Sequence, residues 1–178
     1  MACTLTAGRA LDCKDAVGGI LRIGLATWDT NQTLTIVGDE VTAISGTFNV
    51  YKFELVRNTG SLVDTVVSNV QNATIYYEQT LVAILSKLSA AALTEVRKIN
   101  QGRWIIFIED ANQNIFLMGH GKGAEVTSGS VNETGTATGD FNGYRFEFKS
   151  EERLSCYHVA YDTDFDTSIE SLGTITVV

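Results

Sequence analysis

The stretch Asn49–Leu85, NVYKFELVRNTGSLVDTVVSNVQNATIYYEQTLVAIL, constrains this chain more than any other. It holds three strand-like runs back to back, parted only by Asn58-Thr59-Gly60 and by Asn69-Val70-Gln71-Asn72. Apolar and polar residues alternate through much of it, the period of a strand with one buried face. Tyr51, Phe53 and Leu55 fall on one side of such a strand, and Lys52 and Glu54 on the other. Glu78 shares a side with Thr74, Tyr76 and Thr80; Asp64 shares one with Ser68. So long a run has much backbone to pair and few side chains suited to catalysis. It predicts a protein that builds a surface.

A single domain is expected over residues 1–178, long enough for a proper core. No apolar run approaches the roughly 18–20 residues that span a bilayer. The opening MACTLTAGRALDCKD lacks the basic region and apolar block of a signal peptide, which predicts a protein made and kept in a cytosol. In that setting the Asn-x-Thr triplets at Asn31, Asn72 and Asn132 carry no meaning for glycosylation. Proline is absent, where average usage of about 5% would give about nine. Proline removes a ladder donor, so its absence suits a chain committed to paired strands.

The net charge is −8, and an acidic chain does not hold DNA by phosphate neutralisation, which needs clustered Lys and Arg. It can still enclose DNA without gripping it. Cys3, Cys13 and Cys156 match no zinc spacing and are odd in number, which predicts buried, reduced thiols.

In chain order, residues 1–19 read as an irregular arm, its apolar Leu5, Leu11 and Val17 suggesting partial docking and its position suggesting reach to a neighbouring subunit. Strands are expected at Ile20–Trp28, Thr33–Val37 and Glu40–Ser45, then through the long run. Ser89–Ile99 reads as a helix: Leu88, Ala92, Val96 and Ile99 recur at helical spacing, Ser89 suits the N-cap, and Asn100-Gln101-Gly102 stops it. Trp104–Glu109 and Ile115–Met118 form a hairpin. Residues 119–143 read as a loop with a short strand near Ala124–Thr127. Tyr144–Lys149, Leu154–Tyr161 and Gly173–Val178 are further strands, and Asp162–Glu170 reads as an acidic loop.

Little here carries chemistry. His120 and His158 lie in no catalytic signature. Asp162, Asp164 and Asp166 begin like a calcium loop, but Thr167 and Gly173 stand where such a loop needs Gly and Glu. Gly135–Asp140 lacks the Lys-Ser/Thr of a phosphate loop. The aromatics Tyr51, Phe53, Tyr76, Tyr77, Phe146 and Phe148 lack the interleaved bases of a nucleic-acid platform. No catalytic, cofactor or metal residue is assigned, and the chain is read as not an enzyme.

Three blocks carry a resemblance: Ala2–Ile20, Gly102–Gly119 (GRWIIFIEDANQNIFLMG) and Thr134–Phe148 (TGTATGDFNGYRFEF). They resemble segments of tail and virion structural proteins of tailed bacteriophages, most of all tail tube proteins. The resemblance implies a mainly β fold: a β-sandwich or barrel with one flanking α-helix and a long β-hairpin or meander. It implies homo-oligomeric rings, hexameric and stacked, that conduct the genome and meet other tail or neck proteins of the virion. It implies no cofactor and no membrane partner. Asn49–Leu85 would then pair subunits, with Tyr51, Phe53, Leu55, Tyr76 and Tyr77 at the interface and Glu54, Asp64 and Glu78 facing a net negative or neutral lumen. The two breaks in the run depart from the single long loop of such a hairpin and leave the strand pairing open. The alternatives are a capsid-associated decoration or connector protein, or a ligand-binding β-sandwich module.

Overall fold

The computed structural model describes residues 7–127 and 129–178; Cys3 and Leu5 lie outside them. The fold is mainly β, with 47% strand and 11% helix. The elements run β1 (Ile20–Thr27), β2 (Leu34–Val37), β3 (Glu40–Ile44), β4 (Thr47–Glu54), β5 (Ser61–Asn69), β6 (Thr74–Ser86) and α1 (Ala90–Gln101). After these come β7 (Trp104–Asp110), β8 (Ile115–Met118), β9 (Glu125–Val126), β10 (Val131–Glu133), β11 (Gly143–Glu152), β12 (Tyr157–Val159), α2 (Phe165–Glu170) and β13 (Thr174–Val177).

Two sheets divide these strands. The larger runs β13-β4-β1-β7-β8-β12-β3-β2 and the smaller β10-β11-β6-β5, with β9 also on β11. The larger sheet curls, and the Ile44 N–H donates to the Leu172 carbonyl at 2.8 Å, tying the β13 end back toward β3. Its central strands are covered on both faces, which is why β7 reads as the continuous apolar run WIIFI. Ile106 and Ile108 face the smaller sheet and pack with Ile23, Leu25, Leu81, Phe146 and Phe148. Ile105 and Phe107 face the inside of the curl and pack with Val50, Phe165, Ile169 and Leu172. The small residues Gly24 and Ala26 of β1 stand on that inner side, where α2 presses closest. A Cβ on Gly24 would lie 2.6 Å from Val50 Cγ1 and 3.2 Å from the Phe165 ring.

Helix α1 begins where the sequence indicates. The Ser89 hydroxyl accepts from the Ala92 N–H at 3.1 Å, and the Gly102 N–H closes the last turn on the Lys98 carbonyl. Val96 and Ile99 are buried against the space between the sheets, so this helix flanks the sandwich.

Four readings need correction. Asp162–Glu170 is not all loop. Phe165, Ile169 and Leu172 recur at helical spacing, Asp164 caps the turn by accepting from the Thr167 N–H, and burial of that apolar stripe inside the curl forms α2. The fold thus has a second helix beside the flanking one. The Gly-rich segment 119–143 holds β10 as well as β9. Asn49–Leu85 is not one continuous meander. Residues 55–60, with Asn58 at φ 61°, are too long for a tight hairpin, and they carry the chain from β4 in the larger sheet to β5 in the smaller. Cys13 is exposed rather than buried, and Leu11 and Val17 are exposed too, because the described part of the arm bonds to the body near Val17. There the Asn112 side chain bonds both the N–H and the carbonyl of Val17 at 2.7 Å. No helix among the described residues is long and apolar enough to cross a membrane.

Candidate assembly interface

The β5–β6 hairpin is the feature least satisfied by its own chain. β6 pairs with β11 from Gly143↔Ser86 to Glu152↔Tyr77, and beyond Tyr77 β5 alone of the described strands lies beside it. The far end of the hairpin therefore projects past the body. Val66, Val70 and Ile75 are exposed there, Val70 at 91%. On its outer side β5 has no partner among the described residues, so nine residues of strand present a bare edge. At the opposite end of the same sheet β10 is also an edge. Such edges are templates for pairing with another chain unless something blunts them. No proline interrupts either edge, and Asp64 is the one charged side chain on β5.

The two faces of this sheet differ. Leu62, Leu81, Ala83, Phe146 and Phe148 turn inward to the core. The other face carries Val63, Thr65 and Val67 of β5 opposite Thr80, Glu78 and Tyr76 of β6. Arg145, Glu147, Lys149 and Glu151 of β11 continue it, with Glu125 and Glu133 alongside. Five glutamates thus share this face with two bases of the sheet, and Arg103 and Lys122 flank it, Arg103 paired with Glu125. Lys149 Nζ sits 3.1 Å from Glu78 Oε1, a hydrogen bond and charge pairing that raise the lysine pKa.

The sequence-indicated residues are spread over several settings. Tyr76 and Glu78 lie on the outer face of the small sheet. Tyr77, opposite Val66, lies on its inner side near the end of the body. Phe53 and Leu55 pack against the core between the sheets, within their own chain. Tyr51 is half exposed beside α1, in a groove shared with Leu25, Ile99 and Trp104. Glu54 belongs to the larger sheet, 3.8 Å from Arg22 Nε. Asp64 turns inward, where its Oδ2 accepts from the Ser155 hydroxyl at 2.6 Å and the Cys156 N–H at 2.9 Å. The second bare edge, β10, was missed in a Gly- and Thr-rich segment. Its sequence signal is slight, the single apolar Val131 followed by Asn132 and Glu133.

Groups suited to chemistry stand apart from this face. Burial lowers the His120 pKa, and its Nε2 is shielded without a hydrogen-bond partner. Asp164 serves as a helix cap and Asp166 pairs with Lys52, so two of the three calcium-like aspartates have structural duties. No group of three or more His, Cys, Asp or Glu placed to hold a metal occurs among the described residues. Compared with protein-family models, curated proteins and solved structures, the chain matches none.

Proposed function

We propose that this chain is a structural protein of a bacteriophage virion, the subunit of a tail tube whose stacked rings conduct the genome. The observation that carries the reading is the small sheet with bare edges at both ends, β5 on one side and β10 on the other. Two different edges on one subunit favour head-to-tail pairing, and such contacts close into a ring when the rotation per subunit allows. The ring's inner wall is then a continuous sheet, built from the hairpin and backed by the larger, curled sheet. Sixfold closure comes from the resemblance of Ala2–Ile20, Gly102–Gly119 and Thr134–Phe148 to tail tube proteins.

The chemistry of the outer face supports a conduit. Five glutamates against Arg145, Lys149 and the flanking Arg103 and Lys122 leave it net negative by one charge, with Lys149 held by Glu78 and Arg103 by Glu125. A wall of that sign does not bind phosphate by counterion release, so DNA slides rather than sticks. Glu78 lies on this wall; Glu54 and Asp64 leave the lumen assignment, since one is on the other sheet and one faces the body.

Negative-stain microscopy and sedimentation of the purified protein test the reading, with a Val66→Lys variant beside it. Val66 is exposed in the monomer, so lysine there leaves the fold intact but places a charge on the pairing edge. Rings or tubes from wild type and monomers from the variant are the expected result. A wild type that stays monomeric at high concentration overturns it.

A further inference from the structure

Gly24 of β1 has no side chain, so the Phe165 ring of α2 seats close against it. Lys52 of β4 stands opposite Gly24 in the ladder, and Asp166 follows Phe165 in the chain. Asp164 fixes the first turn of α2 by accepting from the Thr167 N–H at 2.8 Å. The backbone of Lys52 is held as well, its N–H donating to the Val178 carbonyl at 2.9 Å. These placements bring Lys52 Nζ to 2.5 Å from Asp166 Oδ2, closer than the roughly 2.7–2.9 Å usual between an ammonium and a carboxylate. Both side chains are partly buried.

The two oxygens of Asp166 are unequally served. Oδ2 meets the lysine, but Oδ1 is sealed from solvent and has no hydrogen-bond partner among the described residues. A carboxylate oxygen so placed carries the desolvation cost of a charged acceptor without its return, and a neutral amide oxygen in the same place carries much less. The neighbouring charges do not depend on this pair, since Arg22 reaches Glu109 at 2.9 Å and Glu54 at 3.8 Å. Burial first, and after it the charges of Asp110 and Asp166, raise the Glu109 pKa against the pull of Arg22. A carboxyl that takes up protons readily is therefore close enough to sense Asp166.

One C–O bond, roughly 1.2 Å long, separates Oδ2 from Cγ, so the amine nitrogen lies within about 3.7 Å of the carboxyl carbon. That is close to the roughly 3–3.5 Å of a near-attack arrangement. We propose that Lys52 and Asp166 join in the folded subunit as an amide, a covalent staple between β4 and α2. The ammonium passes one proton to Oδ2, and the freed nitrogen pair bonds to Cγ. The Cγ–Oδ2 bond then breaks, and a second nitrogen proton leaves with that oxygen as water. Nothing is oxidised or reduced, and Oδ1 stays behind as the amide oxygen. In dilute solution an amine and a carboxylate stay apart. Groups held in contact react as if at effective molarities on the order of 10⁵–10⁸ M, which draws the balance toward the amide. The staple goes beyond the tube reading and does not rest on it, since it forms within one chain.

The test is the intact mass of the full-length chain. Folded protein is incubated at neutral pH, denatured and weighed beside a Lys52→Arg chain, whose guanidinium keeps the ion pair but does not condense. After correction for the substitution, wild type is expected to be lighter by one water. Proteolysis and tandem mass spectrometry are expected to find the peptide that holds Lys52 joined to the one that holds Asp166. On a denaturing gel, wild type, closed into a loop between residues 114 positions apart, is expected to run ahead of the Lys52→Arg and Asp166→Ala chains. Wild type at its full sequence mass overturns the proposal, and this readout needs no variant to fold. So does a lost water confined to a single peptide, the mark of a cyclic imide at an aspartate, or one that persists in Lys52→Arg.

Discussion

Arg22 and Glu109 face each other across the β1–β7 ladder, with Nη1 2.9 Å from Oε2. The Glu109 side chain is 2% exposed, and burial raises its pKa above the usual 4.5, against the opposing pull of Arg22 and with help from Asp110 and Asp166. A carboxyl whose folded pKa exceeds its unfolded one binds protons more readily in the native state. It therefore favours folding below the unfolded pKa, and that advantage is lost as pH rises through the folded value. In urea denaturation, the stability of wild type relative to Glu109→Gln is expected to fall as pH rises from the ordinary carboxylate range through the raised native value. Arg22→Ala is expected to cost about 2–3 kcal/mol at neutral pH, because it leaves the buried carboxylate unpaired. A pH-independent gap between wild type and the glutamine variant would contradict the assignment.

Gly24 lies against Val50 and, next closest, the Phe165 ring inside the curl. Gly24→Ala is expected to destabilise by about 1–3 kcal/mol through overpacking. Phe165→Ala is expected to cost about 3–5 kcal/mol through the cavity it leaves. The double variant should cost less than the two together, since removing the ring frees one side of the new methyl. Chemical denaturation of all three variants checks this; strict additivity would mean that the two positions do not touch.

Strands with a strong apolar signal were legible from sequence because their burial follows directly from their pattern. Ile115–Met118 and the helix capped by Ser89 lie where the residues place them. What failed was long-range. The alternation in Asn49–Leu85 identifies strands but not their partners, and the six residues between β4 and β5 decide that the run serves two sheets. The stripe Phe165, Ile169, Leu172 was available, but the surrounding aspartates disguised it as a solvated loop. Glu54, Asp64 and Glu78 looked equivalent by periodicity. Only pairing register separates a residue beside Arg22, one under Ser155 and one on the outer face. Phe53 and Leu55 looked like contact residues for the same reason and belong to the core.

The described thiols should react very differently. Burial, together with the nearby Asp64 carboxylate, pushes the Cys156 thiol up to about 12. At pH 8 its thiolate fraction is about one in ten thousand, and the thiolate is the reactive form. Cys13 is exposed. Brief alkylation of native protein, followed by peptide mass analysis, is expected to modify Cys13 and leave Cys156 free until denaturant is added. Equal labelling of both would mean that the Asp64–Cys156 contact is open in solution.

The last prediction concerns the bare edge of β5. Within an antiparallel pair, alternate N–H groups of an edge strand point away from the partner. In a monomer, about half of the amides of Ser61–Asn69 are therefore free to exchange with solvent, while those of β6, paired on both sides between Tyr77 and Val82, are held. Head-to-tail pairing changes only the first group, because it supplies acceptors along the open side of β5. Hydrogen exchange followed by mass spectrometry on monomer and assembly is expected to show gained protection in Ser61–Asn69 and in Val131–Glu133, the two edges that would meet. The central β6 residues should change little. The Val66→Lys chain, held as a monomer, should keep fast exchange at both edges even at concentrations where wild type assembles. Protection gained on β5 without any on β10 would mean that the partner strand is another one, and the head-to-tail sheet would have to be abandoned.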